Sequence, residues 1–172
     1  MKTKTLLLAT AFLFSTSTIA ENWYLGGGLG LMKLDESVDT LSPKNLYLRG
    51  GYAFNENFDI GLESSVTISS DQISDVPDVD FDVDTVTFYL RLGMPVTEGV
   101  KIYGQLGRTN SEITAEYNGF EVSDDDNDTM YGLGAEIDVG SNTTYLALNY
   151  SKYFDDDGVD ISAFNVGLGA RF

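Results

Sequence analysis

The sequence predicts an all-β fold, an eight-stranded antiparallel up-and-down transmembrane β-barrel preceded by a cleaved signal peptide. Three observations predict it. Eight short runs alternate strictly between apolar and polar residues, and period two marks a strand whose faces meet different environments. The apolar face of those runs carries almost no charge. The connections between runs alternate between short and long, as in barrels with tight turns on one side of a membrane and longer loops on the other.

The elements follow in order. Lys2 and Lys4, the apolar run Leu6 to Phe14 and the small-residue site Thr18-Ile19-Ala20 read as an export signal. That run is too short to span a membrane as a helix. Residues 1–20 are therefore expected to be removed, leaving a single barrel domain, 21–172, with no cell-wall-binding domain after it. Strand one presents Trp23, Leu25, Gly27, Leu29 and Leu31 on its apolar face; strand two presents Leu46, Leu48, Gly50, Tyr52 and Phe54. Strand three gives Phe58, Ile60, Leu62, Ser64 and Val66; strand four gives Val86, Phe88, Leu90, Leu92 and Met94. Strands five to seven give Val100 to Leu106, Tyr131 to Val139 and Leu146 to Tyr150, read at every second residue. Strand eight closes with Phe164, Val166, Leu168, Ala170 and Phe172.

The interleaved face is polar and rich in glycine, which leaves room for large neighbours inside a tight barrel. A soluble lipocalin-like barrel is the alternative architecture. Lipid on the outside is favoured by the glycine content, by the balanced inner charge, and by Trp23, Phe54, Phe58 and Phe172 at the short-turn strand ends, where an aromatic girdle belongs.

The whole span 21–172 resembles the OmpA/OmpX-type small outer-membrane barrels. The C-terminal octet Asn165-Val166-Gly167-Leu168-Gly169-Ala170-Arg171-Phe172 looks like the β-signal read by the barrel assembly machinery. The resemblance makes Asn165, Gly167, Ala170 and Phe172 that assembly signal. It implies the machinery and periplasmic chaperones as partners, the outer membrane of a Gram-negative bacterium as location, and periplasmic termini. Tyr89-Leu90-Arg91-Leu92-Gly93-Met94-Pro95 looks like the family's fourth strand and turn, so Arg91, Glu63 and Glu136 are expected in an interior salt-bridge network. Where the family's seventh strand can carry an arginine, this chain has Asn149, and Arg49 is the candidate substitute.

The inner ionisable residues balance by parity alone. Arg49, Arg91, Lys101 and Arg171 face Asp59, Glu63, Glu136 and Asp138. Buried charges persist when paired, and eight strands leave an interior that side chains can fill. A plugged lumen is expected; a narrow porin-like channel or small-solute transporter is the alternative. With no histidine or cysteine in the chain, the usual base beside serine and any thiolate metal site are excluded, so no enzyme, cofactor or metal site is expected.

The formal charge of −17 becomes −19 once Lys2 and Lys4 leave, which argues against nucleic acid as a partner. The other four mature cations, Lys33, Lys44, Arg108 and Lys152, fall on the outward face at the long-loop end. They either contact lipopolysaccharide phosphates or mark the edge of the apolar band by snorkelling. Above them lie Asp71, Asp75, Asp78, Asp80, Asp82 and Asp84; then Glu112, Glu116, Glu121, Asp124, Asp125, Asp126 and Asp128; then Asp155, Asp156, Asp157 and Asp160. These are a solvated surface or a place for divalent cations, without the spacing of a calcium-binding loop. Asn118-Gly119 between alternating runs predicts a hairpin, with strands five and six protruding as a ribbon whose edges could pair with a surface protein. The expected role is structural and interfacial: membrane integrity, lipopolysaccharide contact or adhesion.

Overall fold

A computed structural model describes residues 22–35, 40–72, 79–117, 120–156 and 159–172. The proposed signal peptide, Asp75, Asp78, the Asn118-Gly119 turn and Asp157 lie outside the described residues. Eight long strands form the wall: β1 (Trp23–Asp35), β2 (Lys44–Ala53), β3 (Phe58–Ser69), β4 (Val79–Thr97), β5 (Val100–Tyr117), β6 (Phe120–Val139), β7 (Ser141–Asp156) and β8 (Val159–Arg171). Each pairs antiparallel with the next, and β8 returns to β1 from Tyr24↔Arg171 to Asp35↔Asp160. The ring is therefore closed, which removes sheet edges at membrane depth. Phe172 completes the seam: its N–H donates to the Trp23 carbonyl at 2.8 Å, and its carbonyl accepts from Asn22 N–H at 2.8 Å.

Parity sets the two faces as the alternation requires. Leu29, Leu62, Leu92, Leu133 and Leu168 point outward and are exposed; Tyr47, Arg49, Glu63, Arg91 and Asn149 point inward and are buried. So many exposed aliphatic side chains around one ring suit lipid, not water. At the short-turn end Trp23, Tyr52, Phe54 and Phe58 touch in sequence, with ring centroids 5.5, 5.3 and 5.2 Å apart. The turns there are tight. Gly99 and Gly140, at φ +74° each, supply the left-handed backbone that the last two turns need.

The other end differs from the sequence reading in one respect. The segments around 69–84 and 109–128 are not only loops. β4 begins at Val79 and pairs with β5 up to Val79↔Tyr117, and β5 pairs with β6 up to Tyr117↔Phe120. Three strands therefore protrude as one blade, not two as a ribbon. The two-residue strand Asp71–Gln72 pairs with the start of β4, and Thr40–Leu41 pairs with the end of β1.

Candidate functional site: the filled lumen and its outer end

The inner face arranges itself in tiers, which the strands deliver at every second residue. Going up β6 the inward series is Asp138, Glu136, Gly134, Gly132 and Met130; up β8 it is Arg171, Gly169, Gly167, Asn165, Ala163 and Ile161. Charge sits near the short turns, neutral polar groups above it, and apolar side chains at the top.

All eight inward ionisable residues lie in ion pairs. Arg91 is the hub: Nε donates to Asp59 Oδ1 at 2.7 Å, and a terminal nitrogen to Glu136 Oε1 at 2.8 Å. Arg171 holds Glu136 and Asp138, each at 2.7 Å, and Lys101 lies 3.5 Å from Asp59. Arg49 pairs with Glu63 at 2.5 Å. Arg91 does not contact Glu63, so the network that the resemblance implied is divided, with Arg49 supplying the second cation. Tyrosines join the two parts. Arg49 donates to Tyr103 Oη at 3.3 Å, while the Arg91 guanidinium lies 4.6 Å from the Tyr103 ring centroid and 4.7 Å from that of Tyr24. Stacked, forked arginines of this kind satisfy carboxylates and fill volume at once.

Two tyrosines escaped the sequence reading. Tyr24 donates to Asp59 Oδ1 at 3.0 Å, and Tyr153 donates to Glu63 Oε1 at 2.7 Å. Both sit at inward parity, two residues from Gly26 and Ser151, so extending the alternation by one step finds them. The inner glycines make room for the rings: a Cβ at Gly134 would collide with Tyr103, and one at Gly169 with Tyr145.

Above the ions lies a neutral tier. Gln105 and Asn149 both donate to Ser151 Oγ, at 2.7 and 2.8 Å, and Asn45 donates to the Val83 carbonyl at 2.7 Å. Higher still, Met32, Leu34, Leu41, Val83, Met130, Tyr153, Ile161 and Ala163 form one buried apolar cluster that reaches down to Tyr89, with Phe81 and Ile113 packed against it. This cap corrects the reading of the inner face as polar throughout. Beneath the ionic tier a vestibule of about 540 Å³ opens at the short-turn end, lined by Tyr24, Arg91, Lys101, Glu136 and Arg171 among others.

Lys33, Lys44 and Arg108 are exposed on the outward face, and Lys152 is half-buried with Asp160 at 2.6 Å. Arg108 reaches Thr129 Oγ1 at 3.4 Å. Register brings Lys33 and Lys152 opposite the same residue, Ser162. Among the assembly-signal candidates, Asn165 is buried and donates to Tyr153 Oη at 3.2 Å; Gly167 faces inward against Tyr47; Ala170 and Phe172 face outward. Several acidic residues brace strand joints: Asp71 accepts from Ser42 N–H, Asp82 from Ser70 Oγ, and Asp84 from Thr67 N–H. Among the described residues no three acidic side chains converge into a metal-binding group.

A ring of eight antiparallel strands with an apolar exterior and a filled interior defines a small outer-membrane barrel. Residues 5–172 match the family model for the outer membrane protein beta-barrel domain, and the chain belongs to that family. No curated protein matches it by sequence. Among solved structures it is similar to Neisserial surface protein A at a TM-score of 0.74 and 12% identity, covering 87% of this chain and 97% of that one. It is also similar to Ail, the attachment invasion locus protein of Yersinia pestis, solved with the heparin analogue sucrose octasulfate. That match has a TM-score of 0.68 and 19% identity and covers 90% and 100%. A third relative in fold is OprG of Pseudomonas aeruginosa, at 0.60 and 13% identity, covering 89% and 96%.

Proposed function

We propose that this protein is a closed, non-enzymatic outer-membrane anchor whose work is structural and interfacial. The observation that carries the reading is the two-part stopper: an ion-pair tier and an apolar cap lie one above the other in the same lumen. On this view the lumen offers no route through, and the parts left to act are the outer rim and the blade. In this reading the termini and short turns are periplasmic and the blade is external. Lys33, Lys44, Arg108 and Lys152 contact lipopolysaccharide phosphates, while Asn165, Gly167, Ala170 and Phe172 direct assembly. Divalent cations gather around the acidic outer end as diffuse counter-ions.

Surface adhesion is the finer part of the proposal. Ail was solved with a polysulfated ligand. The acidic outer end of this chain would repel such a molecule, so its surface partners are expected to be cationic. Excising residues 112–122 removes the tip of the blade while keeping the ladder from Val100↔Ile137 to Arg108↔Thr129. Cells carrying the excised form should lose attachment to a surface that the parent binds; undiminished attachment would overturn the adhesive role. The vestibule favours a second reading, a narrow channel entered from the short-turn end, which conductance separates from the first.

A further inference from the structure

We infer that the vestibule at the short-turn mouth is a binding site for a small organic monocarboxylate, with Lys101 as the group that holds the carboxylate. Such a site goes beyond the structural and interfacial role. It needs neither an adhesive blade nor a conducting lumen, because every group it uses lies at or below the ionic tier.

The vestibule has the form of a pocket. It opens at the short turns, and Arg91, bonded to Asp59 at 2.7 Å and to Glu136 at 2.8 Å, closes it above. Its volume of about 540 Å³ lies within the range of small-molecule sites. Ala53, Pro95 and Val100 line it at the strand ends and give it an apolar rim.

The bonding capacity left over inside it belongs to donors. Asp59 Oδ1 accepts from Tyr24 at 3.0 Å and from Arg91 at 2.7 Å. Glu136 accepts from Arg91 on one oxygen and from Arg171 on the other. Arg171 has both terminal nitrogens engaged, at 2.7 Å each. Lys101 differs. An ammonium carries three donors, and among the described residues this one has a single charged partner, Asp59 Oδ2, 3.5 Å away. That is longer than a good hydrogen bond. The Lys101 side chain is 18% exposed, and Gly93 on the neighbouring strand leaves room for its stem, since a Cβ there would collide with Lys101 Cε. Tyr145 is the second open donor. Its ring centroid lies 4.4 Å from the Arg171 guanidinium, it is buried, and its hydroxyl has no partner among the described residues. A buried hydroxyl left in this state points to an acceptor that the chain does not itself supply.

Those two donors set the class of ligand. A carboxylate brings acceptors only, and its bond to an ammonium is charge-assisted. A ligand ammonium would instead sit beside Lys101 and Arg171, and the inner carboxylates it would need are already bonded to arginine or lysine. A second negative charge is disfavoured by Asp138 in the wall and by the exposed Glu56 at the rim. Phosphate and dicarboxylates are thereby selected against. The ligand that remains has one carboxylate and an apolar body that rests on Ala53, Pro95 and Val100.

The test uses the full mature barrel in lipid nanodiscs, which leave both mouths open to solvent, with phenylacetate as the probe. Its controls are phenylacetamide, phenethylamine and the dicarboxylate phenylsuccinate. Calorimetry should show saturable binding of phenylacetate, and the backbone amide resonances of Gly99, Lys101 and Tyr145 should shift as it binds. Phenylacetamide and phenylsuccinate should bind roughly tenfold more weakly, and phenethylamine not at all. Lys101→Gln should weaken phenylacetate about tenfold and Tyr145→Phe about threefold, while Lys101→Arg keeps most of the affinity. Asp59 retains Arg91 and Tyr24 when Lys101 is replaced, so the barrel should stay folded, and urea unfolding checks that it does. No saturable binding, equal binding of the amide, resonance shifts confined to the lipid-facing wall, or full affinity in either Lys101→Gln or Tyr145→Phe would overturn the site. If phenylacetate fails to bind and the bilayer stays silent, only the site is lost and the closed lumen stands. If phenylacetate binds and the barrel conducts, the site stands and closure is wrong.

Discussion

The lower and upper halves of the lumen are filled by different physics. Below, Arg91, Asp59, Glu136 and Arg171 interlock through directed bonds of 2.7–2.8 Å, and each group is acceptable in the interior only because the others are there. Above, Met32, Leu34, Val83, Met130 and Ile161 exclude water by volume, without a directed bond between them. An ionic tier depends on partner identity and geometry; an apolar cap depends on how much space is filled. The two halves are therefore expected to respond differently to the same perturbation, with ion-pair weakening acting first on the lower one.

Substitution can separate the two halves. The largest effect is expected from Arg91→Met, which leaves Asp59 and Glu136 buried with their hub removed; breaking a buried pair costs about 3–5 kcal/mol. Urea unfolding of the barrel refolded into vesicles measures it. Arg91→Lys should recover only part of that loss, because an ammonium cannot reproduce the fork. In the cap, Ile161→Ala should cost about 3 kcal/mol through the cavity it leaves, and Ile161→Val about 1, a graded dependence on volume that the ionic tier should not show. Smaller than Arg91→Met or Ile161→Ala is the effect expected at the boundary between the halves. Tyr153→Phe removes the hydroxyl that links the cap to the buried Glu63 carboxylate, and should cost about 2 kcal/mol in the same assay. If Tyr153→Phe rivals Arg91→Met, the two halves are one cooperative unit and the contrast drawn between them fails.

Alternation made the wall legible in the sequence. Period two fixes which side chains face lipid, so the inward cations and acids could be read as balanced before any distance was known. The apolar cap was illegible for a particular reason. In the upper part of β1, Leu31, Met32 and Leu34 are apolar at both parities, and the pattern loses its contrast. In β4 the acids Asp80, Asp82 and Asp84 dominate a stretch that reads as loop, yet Val79, Phe81 and Val83 between them keep the period of a strand. The same oversight hid the blade's third strand. Partner choice within the ionic tier lay beyond parity, because shear between strands decides which arginine reaches which carboxylate. That is why Arg91 meets Asp59 and Glu136 while Glu63 goes to Arg49.

The closed lumen is the central claim, and single-channel recording tests it most directly. The refolded mature barrel in a planar bilayer, with and without divalent cations, should show no steady current steps above the bare membrane. Steady nanosiemens-scale conductance in either condition would contradict the account, because no such current passes an intact ionic tier and an intact cap in series.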